Sequence, residues 1–481
     1  MIDVERRLKS LFKTWAKEEV VNFIPLAQSG SYRKYFRISG KEQSAVGVYS
    51  PDKKENIAFL TFTKHFKNKG LNVPELYAQK LKENIYLLED LGDTTLFSLA
   101  EKEKQQSKFS NSILNYYEQA LNHLISFQID GGNGLDYSVG YPTEKFDLQS
   151  IMWDLNYFKY YFLKLVKIPF DEQKLEDDFK AFAKFLLSAN TKYFMYRDFQ
   201  SRNILTHKDD LYFIDYQGGR KGALHYDVAS LIFQAKIVLP ENTRNKLLDY
   251  YMSNLSKRIK VNNKEFRKYY YGYVLIRILQ TLGAYGFRGY YENKTHFLQS
   301  IPFALNNLKW LVDSKLFPKN IPVLKASINS ILKNDELRNL TSVDKRDKLK
   351  VTINSFSYKE GIPKDYSGNG GGFVFDCRSI DNPGRYPKYK NSTGLDGDVI
   401  SFLEKKESMR NFLHSVYSIV DKAVSKYIER DFKNLMINFG CTGGQHRSVY
   451  CAENLTRRLK ENFDVNIQLN HLQLPHSGKS K

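Results

Sequence analysis

The sequence predicts an α+β chain in two parts. A strand-rich start runs into a helical body, and a small α/β domain follows. Three observations carry this. Short aromatic and β-branched runs separated by Gly and Ser crowd the first hundred residues, at 23–26, 35–38, 44–49 and 85–88. Helical spacing of apolar residues dominates 111–190 and 227–309. After the polar stretch 332–350, LKNDELRNLTSVDKRDKLK, strands and helices alternate. The expected division is residues 1–331, a linker at 332–350, and residues 351–481.

In the first part, residues 57–66 have the spacing of a helix. The strand at 85–88 ends on Glu89-Asp90-Leu91-Gly92-Asp93. A Gly-rich loop near 130–142 breaks the helical body. Two short apolar runs flanking 207–210 read as a hairpin. In the second part, 351–356, 373–377, 435–439 and 465–469 are expected strands, and 368–372 a flexible loop. Helices are expected at 412–428 and 448–463, the latter with Val449, Ala452, Leu455, Leu459 and Phe463 on one face. No internal repeat is present.

Composition narrows the function classes. Apolar residues make up 42% of the 481 and aromatic residues 14%, enough for hydrophobic cores, so wholesale disorder is excluded. No stretch approaches 18 uncharged apolar residues, so no membrane span is expected. The start, Met-Ile-Asp-Val-Glu-Arg-Arg, lacks an apolar run and a cleavage site, so no secretory signal is expected. The three cysteines, Cys377, Cys441 and Cys451, have no zinc spacing and suit a reducing, cytoplasmic setting. Lys and Arg total 73 against 53 acids, a formal charge of +20. The excess is spread along the chain, so a solvated surface and a nucleic-acid footprint remain open together.

The most specific segment is Tyr196-Arg197-Asp198-Phe199-Gln200-Ser201-Arg202-Asn203, followed by Phe213-Ile214-Asp215-Tyr216. Phosphoryl transfer needs a carboxylate to orient the attacking hydroxyl and oxygen ligands to hold magnesium on the phosphates. Asp198 supplies the first; Asn203 and Asp215 supply the second. The spacing resembles the catalytic loop and metal-binding Asp of the protein-kinase-like superfamily. Tyr196, and Asp215-Tyr216-Gln217, are departures familiar in its aminoglycoside phosphotransferase branch. The resemblance implies a protein-kinase-like α+β fold over roughly residues 10–320, with ATP and Mg2+ as cofactors. Ser29, Gly30 and Ser31, in a turn between strands, are candidates to cover ATP phosphates. Glu89 and Leu91 resemble the hinge lining the adenine pocket. Asp227 reads as a helix N-cap. The strand 44–49 carries no lysine to grip the nucleotide; Lys53, Lys54 or Arg37 are the candidate substitutes, with Glu55 as partner carboxylate. Within the branch, the motifs look most like bacterial kinases that phosphorylate N-acetylmuramate and N-acetylglucosamine at the anomeric hydroxyl. Trp153, Tyr157 and Tyr161, at helical spacing, are expected in the core rather than as a sugar platform.

A second constellation is Gly440-Cys441-Thr442-Gly443-Gly444-Gln445-His446-Arg447-Ser448, between an apolar strand and an amphipathic helix. A strand, a glycine-rich loop and a helix N-terminus suit an anion, with backbone N–H groups pointing inward. Arg447 offers a bidentate contact and Ser448 a hydroxyl. The spacing also fits Cys-x5-Arg-Ser, the loop of cysteine phosphatases. This loop resembles the C-terminal domain of the RNase adapter protein RapZ. So do Ile353-Asn354-Ser355-Phe356-Ser357-Tyr358-Lys359-Glu360-Gly361-Ile362-Pro363, Phe375-Asp376-Cys377-Arg378 with Asn382-Pro383, and Thr393-Gly394 with Asp396. RapZ proteins bind a small regulatory RNA, sense glucosamine-6-phosphate and assemble through both halves. The resemblance implies that Cys441, Thr442, Gly443, Gly444, His446, Arg447 and Ser448 hold a sugar phosphate, with Asp376 and Arg378 nearby. No Gly-x4-Gly-Lys-Ser/Thr motif occurs, so RapZ's nucleotide-binding half is replaced by the kinase-like part. RNA binding and a homo-oligomer stay open. The basic end His476-Ser477-Gly478-Lys479-Ser480-Lys481 reads as a solvated tail.

The expectation is an ATP-dependent sugar kinase joined to a sugar-phosphate-binding domain. The alternatives are an RNA-binding regulator with a degenerate kinase-like half and, ranked last, a phosphatase using Cys441.

Overall fold

The computed structural model describes residues 2–26, 33–104, 109–292, 294–338, 340, 348–365, 367, 371–430 and 432–474. The chain divides into two units, residues 1–287 with 300–341, and residues 288–299 with 342–481.

A helix that the sequence reading missed opens the first unit. Ile2–Ala16 carries Asp3 and Glu5 in its first turn, where acids suit the positive helix end. Its Val4, Leu8, Leu11 and Phe12 form one apolar stripe, buried on Phe36, Ile38, Ala45, Ile85 and Leu87. Those residues belong to a five-stranded antiparallel sheet of β1 (Asn22–Pro25), β2 (Lys34–Ser39), β3 (Ser44–Tyr49), β4 (Leu76–Lys80) and β5 (Ile85–Leu88), in the order β1-β2-β3-β5-β4. β4 was also unforeseen: it is short, ends on Gln79-Lys80 and pairs irregularly near Leu76. The Lys53–Asn68 helix follows β3. Asp52 caps it, its carboxylate accepting from the N–H groups of Lys54 and Glu55.

The helical body carries two short strand pairs. These are β6 (Tyr193–Met195), β7 (Ile204–His207), β8 (Asp210–Phe213) and β9 (Arg220–Gly222), with β6 on β9 and β7 on β8. The expected hairpin is thus present. Its two turn residues, Lys208 and Asp209, both have positive φ, 49° and 65°, as the twist of a two-residue hairpin demands. The Asn263–Gly286 helix passes so close to the chain after the Leu148–Phe158 helix that a Cβ at Gly286 would overlap the Tyr161 carbonyl oxygen. Tyr157 and Tyr161 pack edge-on against one another, and Tyr161 against Phe287. Trp153 lies outside the core, 48% exposed. Within 332–350, the Pro322–Lys333 helix ends and Asp335–Arg338 forms one helical turn; 339 and 341–347 fall outside the described residues. Among the described residues no helix is long and apolar enough to cross a membrane.

The second unit is built on four parallel strands, β10 (Lys350–Ser357), β11 (Gly372–Asp376), β12 (Asn434–Cys441) and β13 (Asn466–His471), in the order β11-β12-β10-β13. Parallel strands are normally covered on both faces, and β10 and β12 read accordingly. Val351, Ile353, Leu435, Ile437 and Phe439 share a core with Val416, Val420 and Val424 of the Glu407–Glu429 helix and Ala452, Leu455 and Leu459 of the Arg447–Asn462 helix. One polar chain crosses the sheet. Asn470 donates to Asn354, Asn354 to Asn438, and Asn438 to the Phe373 carbonyl, at 2.9, 2.8 and 3.2 Å. It satisfies amides that would be costly to bury alone. The expected flexible loop 368–372 is described only from Gly371 onward, and the tail from 475 falls outside the described residues.

Candidate active site

In the first unit, β6 ends at Met195 and delivers the candidate loop. Tyr196 is fully buried, and its hydroxyl donates to the Ile214 carbonyl at 2.7 Å, tying the loop to the chain just before Asp215. Arg197 adopts φ 80° and Asp215 φ 70°, both left-handed and uncommon for such residues. The sequence reading brings Asp198, Asn203 and Asp215 to one site, and the fold places them together. The Asn203 amide Nδ2 donates to the Asp198 carbonyl at 2.9 Å and approaches Asp215 Oδ2 at 3.4 Å. Gln217 Nε2 donates to Asp215 Oδ1 at 2.7 Å, and Gln200 Nε2 reaches Asp198 Oδ1 at 3.4 Å. Burial, then the nearby Asp198 charge, raises the Asp215 carboxyl above its usual range; the Arg33 cation pulls it back in part.

Asp227 corrects the sequence reading. It is not the N-cap of its helix, His225–Ile232, but lies inside it and is fully buried. Its carboxylate accepts the backbone N–H groups of Tyr196 and Arg197 at 2.8 and 2.9 Å, bracing the left-handed turn before Asp198. Burial pushes this carboxyl up to about 7 against the pull of those donors. The Arg197 side chain is held in turn by Asp154, through two contacts of 2.6 and 2.8 Å, and by the Tyr226 hydroxyl at 2.7 Å. Ser201, farther along the loop, gives its N–H and hydroxyl to Gln234 Oε1 at 3.0 and 2.7 Å.

On the nucleotide side, Ser29, Gly30 and Ser31 lie outside the described residues. Glu89 and Leu91 follow β5 as expected. Glu89 exchanges bonds with Glu75, and the buried Leu91 gives its carbonyl to His207 of β7. Among the described residues, none of the three expected substitutes for the strand lysine is paired with Glu55. Lys53 and Lys54 are exposed, and Arg37 is engaged by both Asp90 and Asp93 at 2.7–3.0 Å. The cation beside Glu55 is instead Arg33, 2% exposed, with Nη2 at 3.1 Å from Glu55 and Nη1 at 3.8 Å from Asp215. Its only sequence signal was its place directly after Gln28-Ser29-Gly30-Ser31-Tyr32.

In the second unit, the loop after β12 sits at the carboxyl end of the parallel strands, where open α/β sheets place ligands. β10 and its extension support it. Ser357 Oγ donates to the Thr442 carbonyl at 2.8 Å, and the Tyr358 N–H to the Cys441 carbonyl at 3.0 Å. Gly444, at φ 69°, is the turn's left-handed residue; a Cβ there would overlap Gln473 and lie 2.9 Å from the Ser357 nitrogen. Thr442 and Gly443 are exposed at the tip. Cys441 is buried, 3.1 Å from Ser448 Oγ. Burial raises its thiol, but bonds from Ser448 and Gly444 and the Arg447 charge outweigh this, and the net direction is down. Two residues are committed elsewhere than the sequence suggested. Arg447 is buried and its Nη1 donates to the carbonyls of Arg378 and Ile380 at 3.0 and 2.8 Å. His446 Nε2 bonds the Tyr389 carbonyl at 3.0 Å. Asp376 and Arg378 form an exposed bidentate pair, and Arg378 stacks 4.0 Å over the Tyr358 ring.

An antiparallel sheet, a helical body and an Asp–Asn–Asp set between them define a kinase-like phosphotransferase unit; a parallel sheet with a strand–loop–helix turn defines the other. Residues 23–258 match the phosphotransferase enzyme family, and residues 349–475 match the RapZ C-terminal domain. The chain therefore carries a region similar to each. Among curated proteins, it is 29% identical over 177 residues to a nucleotide-binding protein of Marinobacter nauticus, covering 37% of this chain and 58% of that one. It is 36% identical over 118 residues to one of Thermotoga neapolitana, covering 24% and 40%. The chain spans about half the length of the curated relatives it matches. Among solved structures, the choline kinase LicA of Streptococcus pneumoniae aligns over 63% of this chain and 98% of its own, at 14% identity and a TM-score of 0.45. An ethanolamine kinase of Plasmodium vivax aligns over 62% and 84%, at 12% and 0.45.

Proposed function

We propose that the first unit transfers a phosphoryl group from ATP, with Mg2+, to a sugar hydroxyl. The acceptor is the anomeric hydroxyl of an amino sugar, N-acetylmuramate or N-acetylglucosamine. The second unit binds a sugar phosphate such as glucosamine-6-phosphate. The domains are residues 1–331 and 351–481, with a linker between. The observation that carries the reading is the hydrogen-bonded set of Asp198, Asn203 and Asp215, presented by a loop braced from behind by Asp227.

The donor set fits a hard cation. Asn203 uses its Nδ2 toward Asp198, which turns its amide oxygen to the other side, and Asp215 brings two carboxylate oxygens. Asn203 and Asp215 would hold a Mg2+ ion, which would supply neutralisation of charge on the transferring phosphates. Asp198 accepts a hydrogen bond from the acceptor hydroxyl and orients it for attack, the role that demands its backbone be fixed. Ser29, Gly30, Ser31, Glu89 and Leu91 serve the nucleotide.

In the second unit, the exposed tip at Thr442 and Gly443 and the N-terminus of the Arg447–Asn462 helix suit a phosphate. The commitment of Arg447 to two carbonyls speaks against a phosphatase reading, in which that guanidinium must grip the reacting phosphate.

The test is ATP consumption against a panel of amino sugars and aminoglycosides, with Asp198→Asn as control. Turnover of N-acetylmuramate or N-acetylglucosamine that disappears in the variant is the expected result. Absence of turnover with every acceptor overturns the reading. Calorimetric titration with glucosamine-6-phosphate tests the second unit separately.

A further inference from the structure

A kinase site needs a cation on the nucleotide phosphates, and that cation needs a carboxylate to fix it. The third strand, Ser44-Ala45-Val46-Gly47-Val48-Tyr49, offers none. The carboxylate is nevertheless in place. Glu55 stands in the first turn of the next helix, beside its cap Asp52, and takes a bond from Ser50 Oγ at 3.3 Å. Its cationic neighbour comes from the opposite direction. Arg33 directly precedes β2, whose first residue, Lys34, pairs with Tyr49 at the end of β3. This brings Arg33 to the end of the strand that lacks the lysine.

We propose that Arg33 is the residue that binds the nucleotide phosphates, with Glu55 as its positioning partner. The inference rests on the phosphotransferase reading and names the group that completes it. Arg33 faces two carboxylates that belong to different tasks, Glu55 at 3.1 Å and the metal-side Asp215 at 3.8 Å. Both are ion-pair distances rather than charge-assisted hydrogen bonds, the guanidinium standing nearer Glu55 and facing Asp215. Its carbon face lies 5.4 Å from the Phe59 ring, and Phe59 stacks at 5.1 Å on Tyr216, the neighbour of Asp215. The cation is thus held in the angle between the helix carboxylate and the Asp215 turn, where the phosphates must lie if Asp215 holds their metal. A planar fork spans both carboxylates at once; a lysine ammonium, a single point charge, does not. The competing cations are excluded by position, Lys53 and Lys54 by exposure and Arg37 by its two aspartates.

The test measures binding rather than turnover. Full-length Asp198→Asn protein is titrated calorimetrically with MgATP and, separately, with adenosine, which has no phosphates. Arg33→Met in that background is expected to weaken MgATP by at least ~tenfold and leave adenosine within ~twofold, because charge-assisted contacts act on the phosphates alone. Glu55→Gln should shift MgATP in the same direction by less, and add nothing to Arg33→Met. Lys53→Ala and Lys54→Ala should change neither ligand. Equal weakening of MgATP and adenosine means a structural role and overturns the proposal, as does unchanged MgATP binding. If Arg33→Met melts far below its parent, the same ratio is read from Arg33→Lys, where a selective loss of MgATP supports the proposal and an unchanged ratio overturns it. A parent protein that binds neither ligand removes the phosphotransferase reading as well, whereas a parent that binds MgATP with no selective loss removes only this inference.

Discussion

Asp154 pairs with one buried guanidinium and its charge acts on a second, and its removal exposes what that arrangement contributes. Arg197 and Asp154 have side chains only 14% and 10% exposed, joined by two short contacts. Arg220, 5% exposed, is held down to about 10 by burial and then by the Arg197 charge, while Asp154 pulls it up. Both arginines are therefore cationic at neutral pH, and Asp154→Ala strands them together. Breaking one side of a buried ion pair costs ~3–5 kcal/mol. A unit of about 330 residues unfolds with an entropy of roughly 0.7 kcal/mol/K, so its melting temperature should fall by ~4–7 °C. Asp154→Asn keeps hydrogen-bonding capacity and should lose about half of this. The pair Asp154→Leu with Arg197→Met removes both charges and should recover most of it. Because Arg197 sits at φ 80° next to Asp198, Asp154→Ala should also lower kcat by ~tenfold or more with KM for ATP unchanged. Calorimetric melting and steady-state kinetics read the two effects. An Asp154→Ala protein that melts within ~1 °C of wild type refutes the argument that this carboxylate neutralises a buried charge.

Asp227 carries a pH signature. Its carboxyl is raised to about 7 by burial, so the folded chain holds this proton to higher pH than the unfolded one, where an aspartate titrates near ~3.9. The associated stability is complete below about pH 4 and is lost as pH rises through about 7. The urea midpoint of wild type should therefore fall relative to that of Asp227→Asn between pH 5 and pH 8, and a constant or rising difference refutes the assignment. In the second unit, Gly444→Ala combines a left-handed φ with overlap at Gln473 and should cost ~2–3 kcal/mol. Gly443→Ala, with open space around its Cβ, should cost under ~0.5 kcal/mol by the same melt. Arg447→Gln strands the carbonyls of Arg378 and Ile380 and should destabilise by ~2–4 kcal/mol in chemical denaturation, whether or not any phosphate is present.

What the sequence revealed was what it encodes locally. Asp198, Asn203 and Asp215 are separated by one loop and one hairpin, so their spacing carried the geometry. The hairpin turn, four of the five strands of the first sheet, all four of the second and the helix after Cys441 followed from short-range pattern alone. The supports were invisible because they join distant segments. Asp154 meets Arg197 across 43 residues, Asp227 meets Tyr196 and Arg197 across about 30, and Arg33 meets Glu55 through a sheet register. Asp227 was noticed, but as a cap, since a position near a helix start does not say which backbone its carboxylate faces. Arg447 shows the same limit: the loop motif named the residue, and only the fold says that its guanidinium turns to carbonyls. The Ile2–Ala16 helix was missed because Arg6, Arg7, Lys9 and Lys13 interrupt an apolar stripe only four residues deep.

The two candidate sites are built on opposite principles, and this determines how each should fail. In the first unit the key groups are side chains, and the backbone beneath them is unfavourable, with two left-handed residues held by Asp227, Tyr196 and Gln217. Such a site is sensitive to losing distant carboxylates and tolerant of changes at its rim. In the second unit the donors suited to a phosphate are backbone groups, and three polar side chains of the loop are spent on holding it in place: Ser448 on Cys441 within the loop, and His446 and Arg447 on carbonyls of Tyr389, Arg378 and Ile380 in the segment beside it. Truncating those side chains should act first on stability and only through it on ligand binding. A substitution that leaves every side chain and alters the backbone, Gly444→Ala, should instead weaken sugar-phosphate binding even where the protein remains folded. Glucosamine-6-phosphate titration at a temperature well below the melt separates these cases. Unchanged affinity in Gly444→Ala would mean that the phosphate is not held by this turn.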